Sequence, residues 1–128
     1  MQNHGKSALG LDGNITALIG YLIGIVALIL IFIEKDNKFV RFHALQSVFW
    51  SLAGTIAIVV IAIIGTIISL IIGQISAGLA TIVGLLVFLI YLGLILALLG
   101  GLIFAAVKAF GGSMFKLPIV GNMAEKYS

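Results

Sequence analysis

The sequence contains no cysteine, a single proline and few charged residues. The lack of cysteine excludes disulfide bonds, zinc–thiolate sites and cysteine nucleophiles. Charged residues make up 9% of the 128 residues and hydrophobic residues 62%, whereas soluble domains carry about a quarter charged residues. A soluble domain of this size exposes too large a share of its residues to hide so many apolar side chains. We therefore expect an all-α integral membrane protein, formed as one transmembrane helical domain over residues 1–128.

Sequence patterns of enzymes and metal sites are also missing. The chain has no G-x-S-x-G, H-E-x-x-H, Walker A or dinucleotide-binding glycine pattern. No ionisable residue lies in the middle of an apolar run, where proton relays and ion sites need one. The four carboxylates lie near the ends of apolar runs or in the terminal segments, at Asp12, Glu34, Asp36 and Glu125. We expect no enzyme activity, no cofactor and no bound metal.

Long apolar runs predict three transmembrane helices, at about 15–33, 38–72 and 77–110. A polar N-terminal segment, residues 1–14, precedes the first helix. At 1.5 Å per residue, the first helix would be about 28 Å long, close to the ~30 Å bilayer core. The second and third would each be roughly 50 Å long, so we expect both to extend beyond the core on the cytoplasmic side. Glycine and polar residues at 73–78 predict the turn between them.

The distribution of basic residues predicts the orientation. Six of the seven Lys and Arg residues lie in the first loop or near the C-terminus, and Lys6 alone precedes the first helix. The positive-inside rule then places the N-terminus outside and the C-terminus in the cytoplasm of a multi-pass protein of the cytoplasmic membrane. The two histidines fall on opposite sides in this arrangement. A four-span alternative breaks the third helix near Gly93 or Gly100, but it moves the C-terminal lysines outside.

The partners expected from this charge pattern are lipids. Basic residues flank the apolar runs and form no separate patch, so the bilayer and its anionic headgroups fit them better than nucleic acid does. Small residues recur at spacings typical of close helix packing. They fit internal packing of the three helices or, alternatively, the face of a homo-oligomer. The predicted helix-packing stripe consists of Gly20, Gly24, Gly93, Ala97, Gly101 and Ala105.

A polar and aromatic face lies at the start of the second predicted helix, since His43, Gln46, Ser47 and Trp50 are spaced i, i+3, i+4 and i+7. It fits either hydrogen bonding between helices or a docking surface. The tail at 111–128 is apolar around the only proline, which blocks a continuous helix. We expect it to lie along the cytoplasmic interface and to pack near residues 38–50. The candidate interaction face consists of Lys38, Arg41, His43, Gln46, Ser47, Trp50, Phe115, Lys116 and Pro118.

Two long stretches of sequence and one short one resemble a known family. EKDNKFVRFHALQS at 34–47 resembles the E-K-x-N-x-F-V-R-F-H-A-x-Q-S signature of small prokaryotic membrane proteins filed as domain of unknown function 4870. FKLPIVGN at 115–122 is similar to the C-terminal motif of that family, and LDGN at 11–14 to its entry into the first helix. The family is related to the Tic20-like group of the chloroplast import translocon. The resemblance implies a helical membrane protein and permits a role in translocation, although the chloroplast protein has four spans.

Three functional hypotheses follow. The first is a non-enzymatic scaffold or accessory subunit of a membrane complex, which holds a partner membrane protein through residues 35–50 and 115–126. The second is a homo-oligomeric pore or protein-translocation element resembling the chloroplast import component. The third is a holin-like permeabilising protein, which fits the small size but not the tail, since 115–121 is neither polar nor rich in charge.

Overall fold

The computed structural model of the protein describes residues 3–128, which form five α-helices. In chain order these are α1 (Gly13–Leu22), α2 (Gly24–Ile33), α3 (Lys38–Gly73), α4 (Ala77–Phe110) and α5 (Val120–Tyr127). The chain divides into two compact units. One comprises the described part of Met1–Ser51 together with Leu99–Ser128, and the other comprises Leu52–Leu98. The first two residues of the predicted N-terminal segment lie outside the described residues.

The two long helices α3 and α4 agree with the predicted helices at 38–72 and 77–110. Within the described chain they are the two helices long and apolar enough to cross a bilayer. Only 6% and 0% of their most apolar 18-residue stretches is buried, and a helix that is apolar on all sides needs either a protein core or lipid around it. The four-span alternative is wrong, because α4 continues without a break through Gly93 and Gly100.

In the unit Leu52–Leu98, glycines let the two helices approach closely. A Cβ atom added to Gly54 would lie 2.7 Å from Leu98 Cδ1, and one added to Gly65 would lie 2.9 Å from Val87 Cγ1. Such small residues are what allows helices to pack in lipid. At the turn between the helices, Leu79 N donates to Ser76 Oγ over 3.3 Å, which caps the first turn of α4.

The predicted first transmembrane helix, 15–33, is wrong. The run is broken at Ile23, whose φ of −124° and ψ of 96° are extended, and α1 and α2 form a helical hairpin around it. A Cβ atom on Gly20 would lie 3.7 Å from Ala27 Cβ and 3.8 Å from Leu30 Cδ1, so α2 folds back directly onto the Gly20 face of α1. Each ten-residue helix is about 15 Å long, half of the ~30 Å core. The described chain therefore has two candidate membrane-spanning helices, not three.

The predicted position of the N-terminus, opposite to the first loop, is wrong for the same reason. Because the hairpin returns to its starting point, residues 3–12 lie against the 34–37 connection. Ala8 N donates to Glu34 Oε2 over 2.6 Å, and Asn37 Nδ2 donates to the His4 carbonyl over 2.9 Å. The His4 ring also donates from Nε2 to the carbonyl of Gly112 at 2.7 Å. The N-terminal segment, the first loop and the tail thus meet at one place.

The C-terminal segment returns onto the start of α3. Helix α4 ends at Phe110, and Gly112 adopts a positive φ of 85°, a conformation that glycine accepts without a steric penalty. The tail then runs without regular structure to Pro118 and ends in the short helix α5. Val120, Gly121 and Ala124 form the buried side of α5. The tail is therefore part of the first unit and not a free linker.

Candidate functional site: the polar cluster beneath the C-terminal tail

Three polar side chains on one face of α3 are fully buried: His43, Gln46 and Ser47. The helical spacing that the sequence showed brings them together, and α1 adds the buried Tyr21 beside them. We call these four residues the polar cluster. Buried polar groups must find partners inside the protein, because an unpaired one costs about 1–3 kcal/mol. The partners come from the hairpin on one side and from the tail on the other.

Hydrogen-bond geometry assigns the protons of the cluster. His43 Nε2 lies 3.0 Å from the Ser113 carbonyl, which can only accept, so this nitrogen carries a proton. His43 Nδ1 lies 2.6 Å from the Tyr21 hydroxyl, which in turn accepts from Gln46 Nε2 at 2.7 Å. A neutral imidazole that accepts the Tyr21 hydroxyl proton at Nδ1 gives every donor in this set an acceptor. A doubly protonated ring would leave the phenol hydrogen without an acceptor. We therefore assign a neutral His43.

Burial also holds Tyr21 in its protonated form. Desolvation raises the pKa of the Tyr21 hydroxyl above its ordinary value, and the hydrogen bond from Gln46 offsets part of that rise. The hydroxyl therefore remains able to donate to His43. Aromatic rings enclose the imidazole: Phe39 and Phe42 lie edge-on, with centroids 4.5 Å and 4.9 Å from that of His43. The members of the cluster are shielded and hydrogen-bonded to one another or to the backbone. The cluster therefore has a structural role: it holds α1, α3 and the tail together.

Gln46 joins the two halves of the cluster. Besides the bond to Tyr21, its Nε2 donates to the Phe115 carbonyl at 2.9 Å, and its Oε1 accepts from Leu117 N at 2.8 Å. The Gln46 amide thus pairs with a backbone carbonyl and a backbone amide of the irregular tail, as a neighbouring β-strand would. Close to it, a Cβ atom on Gly121 would lie 2.5 Å from Lys116 Cβ and 2.9 Å from Gln46 Oε1. Only glycine fits where α5 crosses the tail.

A second set of contacts closes the base of the hairpin. Glu34 is buried, and its carboxylate accepts from the backbone of Ala8 at 2.6 Å and of Asn37 at 3.2 Å. Arg41 donates from one guanidinium nitrogen to the carbonyls of Ile31 at 2.7 Å and Glu34 at 3.1 Å. These bonds satisfy the end of α2, whose last carbonyls have no partner within the helix.

The members of the predicted interaction face separate into two groups. His43, Gln46 and Ser47 are internal, whereas Lys38, Lys116 and Pro118 are exposed; the remaining three, Arg41, Trp50 and Phe115, are half-buried. The expected docking of the tail near residues 38–50 agrees with the bonds from Ser113, Phe115 and Leu117. Contact of the exposed members with a partner stays a prediction.

The predicted small-residue stripe also divides. Gly20 faces α2, Ala105 is buried, and a Cβ atom on Gly101 would lie 2.6 Å from Trp50 Nε1. Gly24 and Gly93 have open space around them, and Ala97 is exposed. The first group serves internal packing. A role of the second group in a homo-oligomer stays a prediction.

Sequence reasoning missed Tyr21 and His4 as members of this region. Tyr21 was visible as a polar residue inside a predicted span, which marks a side chain in need of a partner. His4 stacks on Phe39, with ring centroids 3.7 Å apart, and both histidines contact that ring. Their predicted placement on opposite sides of the membrane is wrong, because it followed from the three-span arrangement.

Comparison with known proteins identifies the family. The model of the magnetosome magnetite crystal formation protein family matches residues 7–124. The chain belongs to this family. The resemblance to domain of unknown function 4870 and to the Tic20-like group was wrong, since the matching family and the relatives are different ones. The match spans both motifs on which that resemblance rested, and the structure shows why they occur together: 34–47 supplies α3's share of the polar cluster, and 115–122 supplies the tail that covers it.

Relatives of this magnetosome-family chain are named as membrane proteins. A UPF0132 membrane protein of Methanocaldococcus jannaschii is 37% identical over 125 residues, covering 97% of this chain and 96% of the relative. A second UPF0132 membrane protein from that organism is 35% identical, and the match covers 94% of this chain and 73% of the relative. One from Archaeoglobus fulgidus is 34% identical and covers 88% and 92%. No solved structure matches the chain. The expected membrane protein is thus confirmed at the level of the family.

Proposed function

We propose that the protein is a non-enzymatic scaffold subunit of a membrane complex. Helices α3 and α4 anchor it as a multi-pass protein of the cytoplasmic membrane, and the tail at 113–120 is the surface that holds a partner protein. The observation that carries the proposal is an exposed apolar residue, Ile119, which the fold holds in a strained turn.

The backbone of Ile119 lies in a region that isoleucine rarely adopts. Its φ is 67° and its ψ −60°, and Val120 N donates to the Pro118 carbonyl across it at 2.7 Å. This is a γ-turn of the rarer, strained kind. Such a conformation costs about 1–3 kcal/mol and persists only where surrounding contacts enforce it. Strain of this sort is concentrated at functional positions, so it supports a functional interpretation of the turn.

The contacts that enforce the turn lie on both sides of it. On the N-terminal side, Leu117 N donates to Gln46 Oε1 at 2.8 Å. On the C-terminal side, Gly121 N donates to the Leu117 carbonyl at 3.0 Å. The strain does not serve burial, because the Ile119 side chain is 82% exposed. The fold therefore uses free energy to present an apolar side chain on a rigid support, which suits the centre of a protein–protein contact.

The surroundings of Ile119 fit a protein partner. Pro118 and Met123 add exposed apolar surface, and a Lys116–Glu125 ion pair and Lys126 lie close by in the sequence. An apolar centre with a charged rim is the usual anatomy of a protein interface. The family description concerns magnetite crystal formation. Within residues 3–128, no group of three or more His, Asp or Glu side chains is placed to hold a metal ion, so our proposal concerns assembly and not mineral binding.

Site-specific photo-crosslinking in the native membrane tests the proposal. Benzoylphenylalanine replaces Ile119 in one variant and Ile75 in a matched control, since Ile75 is 78% exposed but lies in the α3–α4 turn. We expect an adduct with one specific protein from position 119, none from position 75, and loss of the adduct when Gln46→Ala releases the tail. Adducts with lipid alone, or the same adducts from both positions, would contradict the proposal. An adduct with a second copy would make the partner this chain itself.

A further inference from the structure

The outer face of the α1–α2 hairpin is apolar and has no cover within the described chain. Ile25 is 67% exposed and Phe32 68% exposed, and both ends of the break at Leu22–Gly24 are open. The exposed apolar side chains of this face are Leu22, Ile23, Ile25, Leu28, Ile29, Phe32 and Ile33. A contiguous apolar face of this kind marks a membrane or protein contact.

The direction in which the hairpin points favours a membrane contact over a protein contact. At its base, Arg41 binds the carbonyls of Ile31 and Glu34. Near its tip, Ser47 Oγ donates to the Gly20 carbonyl at 3.0 Å. Ser47 lies six positions after Arg41 in α3, which is about 9 Å along the helix axis. The tip therefore points away from the charged start of α3 and along the run that has no Asp, Glu, Lys or Arg after Arg41.

Three backbone groups near the tip are paired, as an apolar surrounding demands: the Ile23 amide and the carbonyls of Ile23 and Gly20. Ile23 N donates to the Ile19 carbonyl at 2.8 Å, and the Ile23 carbonyl accepts from Val26 N at 3.0 Å. Ser47 pairs the carbonyl of Gly20. Non-helical backbone is tolerated at membrane depth only where its polar groups are satisfied within the protein. The break at Ile23 meets that condition for these carbonyls.

We infer that α1 and α2 form a re-entrant hairpin, whose outer face is covered by the acyl chains of one leaflet. It enters and leaves the bilayer on the side of the basic residues and does not cross. The inference rests on the proposed anchoring by α3 and α4. Each hairpin helix is about 15 Å long, enough to enter a ~30 Å core but not to span it. The 36 residues of α3 give about 54 Å, which a tilted helix can fit into the 40–45 Å of core plus headgroups.

The charge distribution supports this arrangement independently. With two crossings, the N-terminus, the first loop and the tail share one side, and only the turn between α3 and α4 lies on the other. That turn contains no Lys or Arg, so all seven basic residues of the chain fall on one side. The three-span arrangement left Lys6 opposite the other six. The hairpin therefore satisfies the positive-inside rule more completely.

Single-cysteine labelling tests the sidedness, and the natural chain contributes no background because it has no cysteine. Three positions are used: the exposed Ala8→Cys before the hairpin, the exposed Gln74→Cys in the α3–α4 turn, and the half-buried Ser128→Cys after α5. A membrane-impermeant maleimide is added to intact cells. We expect labelling of Gln74→Cys alone, with Ala8→Cys and Ser128→Cys labelled only after permeabilisation. Labelling of Ala8→Cys together with Gln74→Cys would overturn the hairpin. Labelling of Gln74→Cys and Ser128→Cys from the same side would instead overturn the two-span anchoring.

Spin labels test the depth in the same cysteine background. The label is attached at Ile25→Cys on the hairpin, with Ile63→Cys in the apolar part of α3 and Lys35→Cys in the first loop as references. We expect the label at position 25 to be relaxed by oxygen and shielded from a water-soluble nickel complex, as at position 63. Nickel accessibility equal to that at position 35 would show a hairpin in water and overturn the inference. Neither result depends on whether Ile119 binds a partner.

Discussion

Replacing Gln46 by leucine is the most direct test of how the tail is held. Leucine has a similar volume but offers no hydrogen bond, so Leu117 N and the Phe115 carbonyl lose their partner. Two unpaired buried groups would cost about 2–6 kcal/mol at 1–3 kcal/mol each. The tail can avoid that cost by leaving its site, because its backbone groups can then bond to water. We therefore expect local release of residues 113–127 and not unfolding of α3 and α4.

Hydrogen exchange measured by mass spectrometry in detergent would show the release. A loss of at least 2 kcal/mol corresponds to roughly 30-fold faster exchange, since each 1.4 kcal/mol is a factor of ten. The affected amides should be those of α5 and of the preceding tail, which exchange through local opening. Gln74→Leu is the matched control, because it makes the same chemical change at an exposed glutamine. Unchanged exchange of the tail in Gln46→Leu would refute the structural role assigned to this amide.

Two further predictions concern glycines at close contacts. Gly101→Ala places a methyl group 2.6 Å from the indole nitrogen of Trp50, so we expect about 1–3 kcal/mol of destabilisation and a shifted emission of the only tryptophan. Gly121→Ala places a methyl group 2.5 Å from Lys116 Cβ. We expect it to destabilise the docked tail by a similar free energy, about 1–3 kcal/mol, and to leave the Trp50 emission unchanged. Gly100→Ala serves as the control for both, because nothing lies within 4 Å of its added methyl group; equal effects from Gly100→Ala would contradict both predictions.

The two long helices could be read from the sequence because their determinants are local. No charged residue interrupts the chain between Arg41 and Lys108, and glycine and polar residues are most concentrated around Gln74. The docking of the tail was also accessible, since the helical spacing of His43 and Gln46 aligns two side chains that need partners. For the long helices the pattern and its physical cause lie in the same segment; for the tail the pattern showed side chains of α3 that need partners.

The hairpin could not be read in this way, because its cause is not local. A run of 19 uncharged residues has the same length and composition whether it crosses the bilayer or turns back. What separates the two outcomes is the fit of Ala27 and Leu30 onto Gly20 and the bond from Ser47 to the Gly20 carbonyl. One wrong element then reversed the side assigned to the N-terminus. An error in counting spans moves every preceding residue to the opposite side.

The turn at Ile119 contradicts local preference outright. A β-branched residue at positive φ is a rare outlier, so no propensity argument would place one there. Pro118 indicated that a helix could not continue, but the form of the turn depends on Gln46, more than seventy residues away. The exposed apolar residue on which we base the functional proposal is thus a product of tertiary contacts.

The polar cluster makes the hairpin and the tail interdependent. Gln46 donates to the Tyr21 hydroxyl of α1 and accepts from Leu117 N of the tail, and His43 likewise bonds to both elements, so withdrawal of either element leaves buried groups of α3 without a partner. At about 1–3 kcal/mol for each unpaired group, that coupling is of the same size as the strain stored at Ile119, about 1–3 kcal/mol. Release of the hairpin would then leave Gln46, which holds the strained turn through Leu117 N, without its bond to Tyr21. The proposed insertion of α1 and α2 into the leaflet and the proposed presentation of Ile119 to a partner therefore require the same folded state.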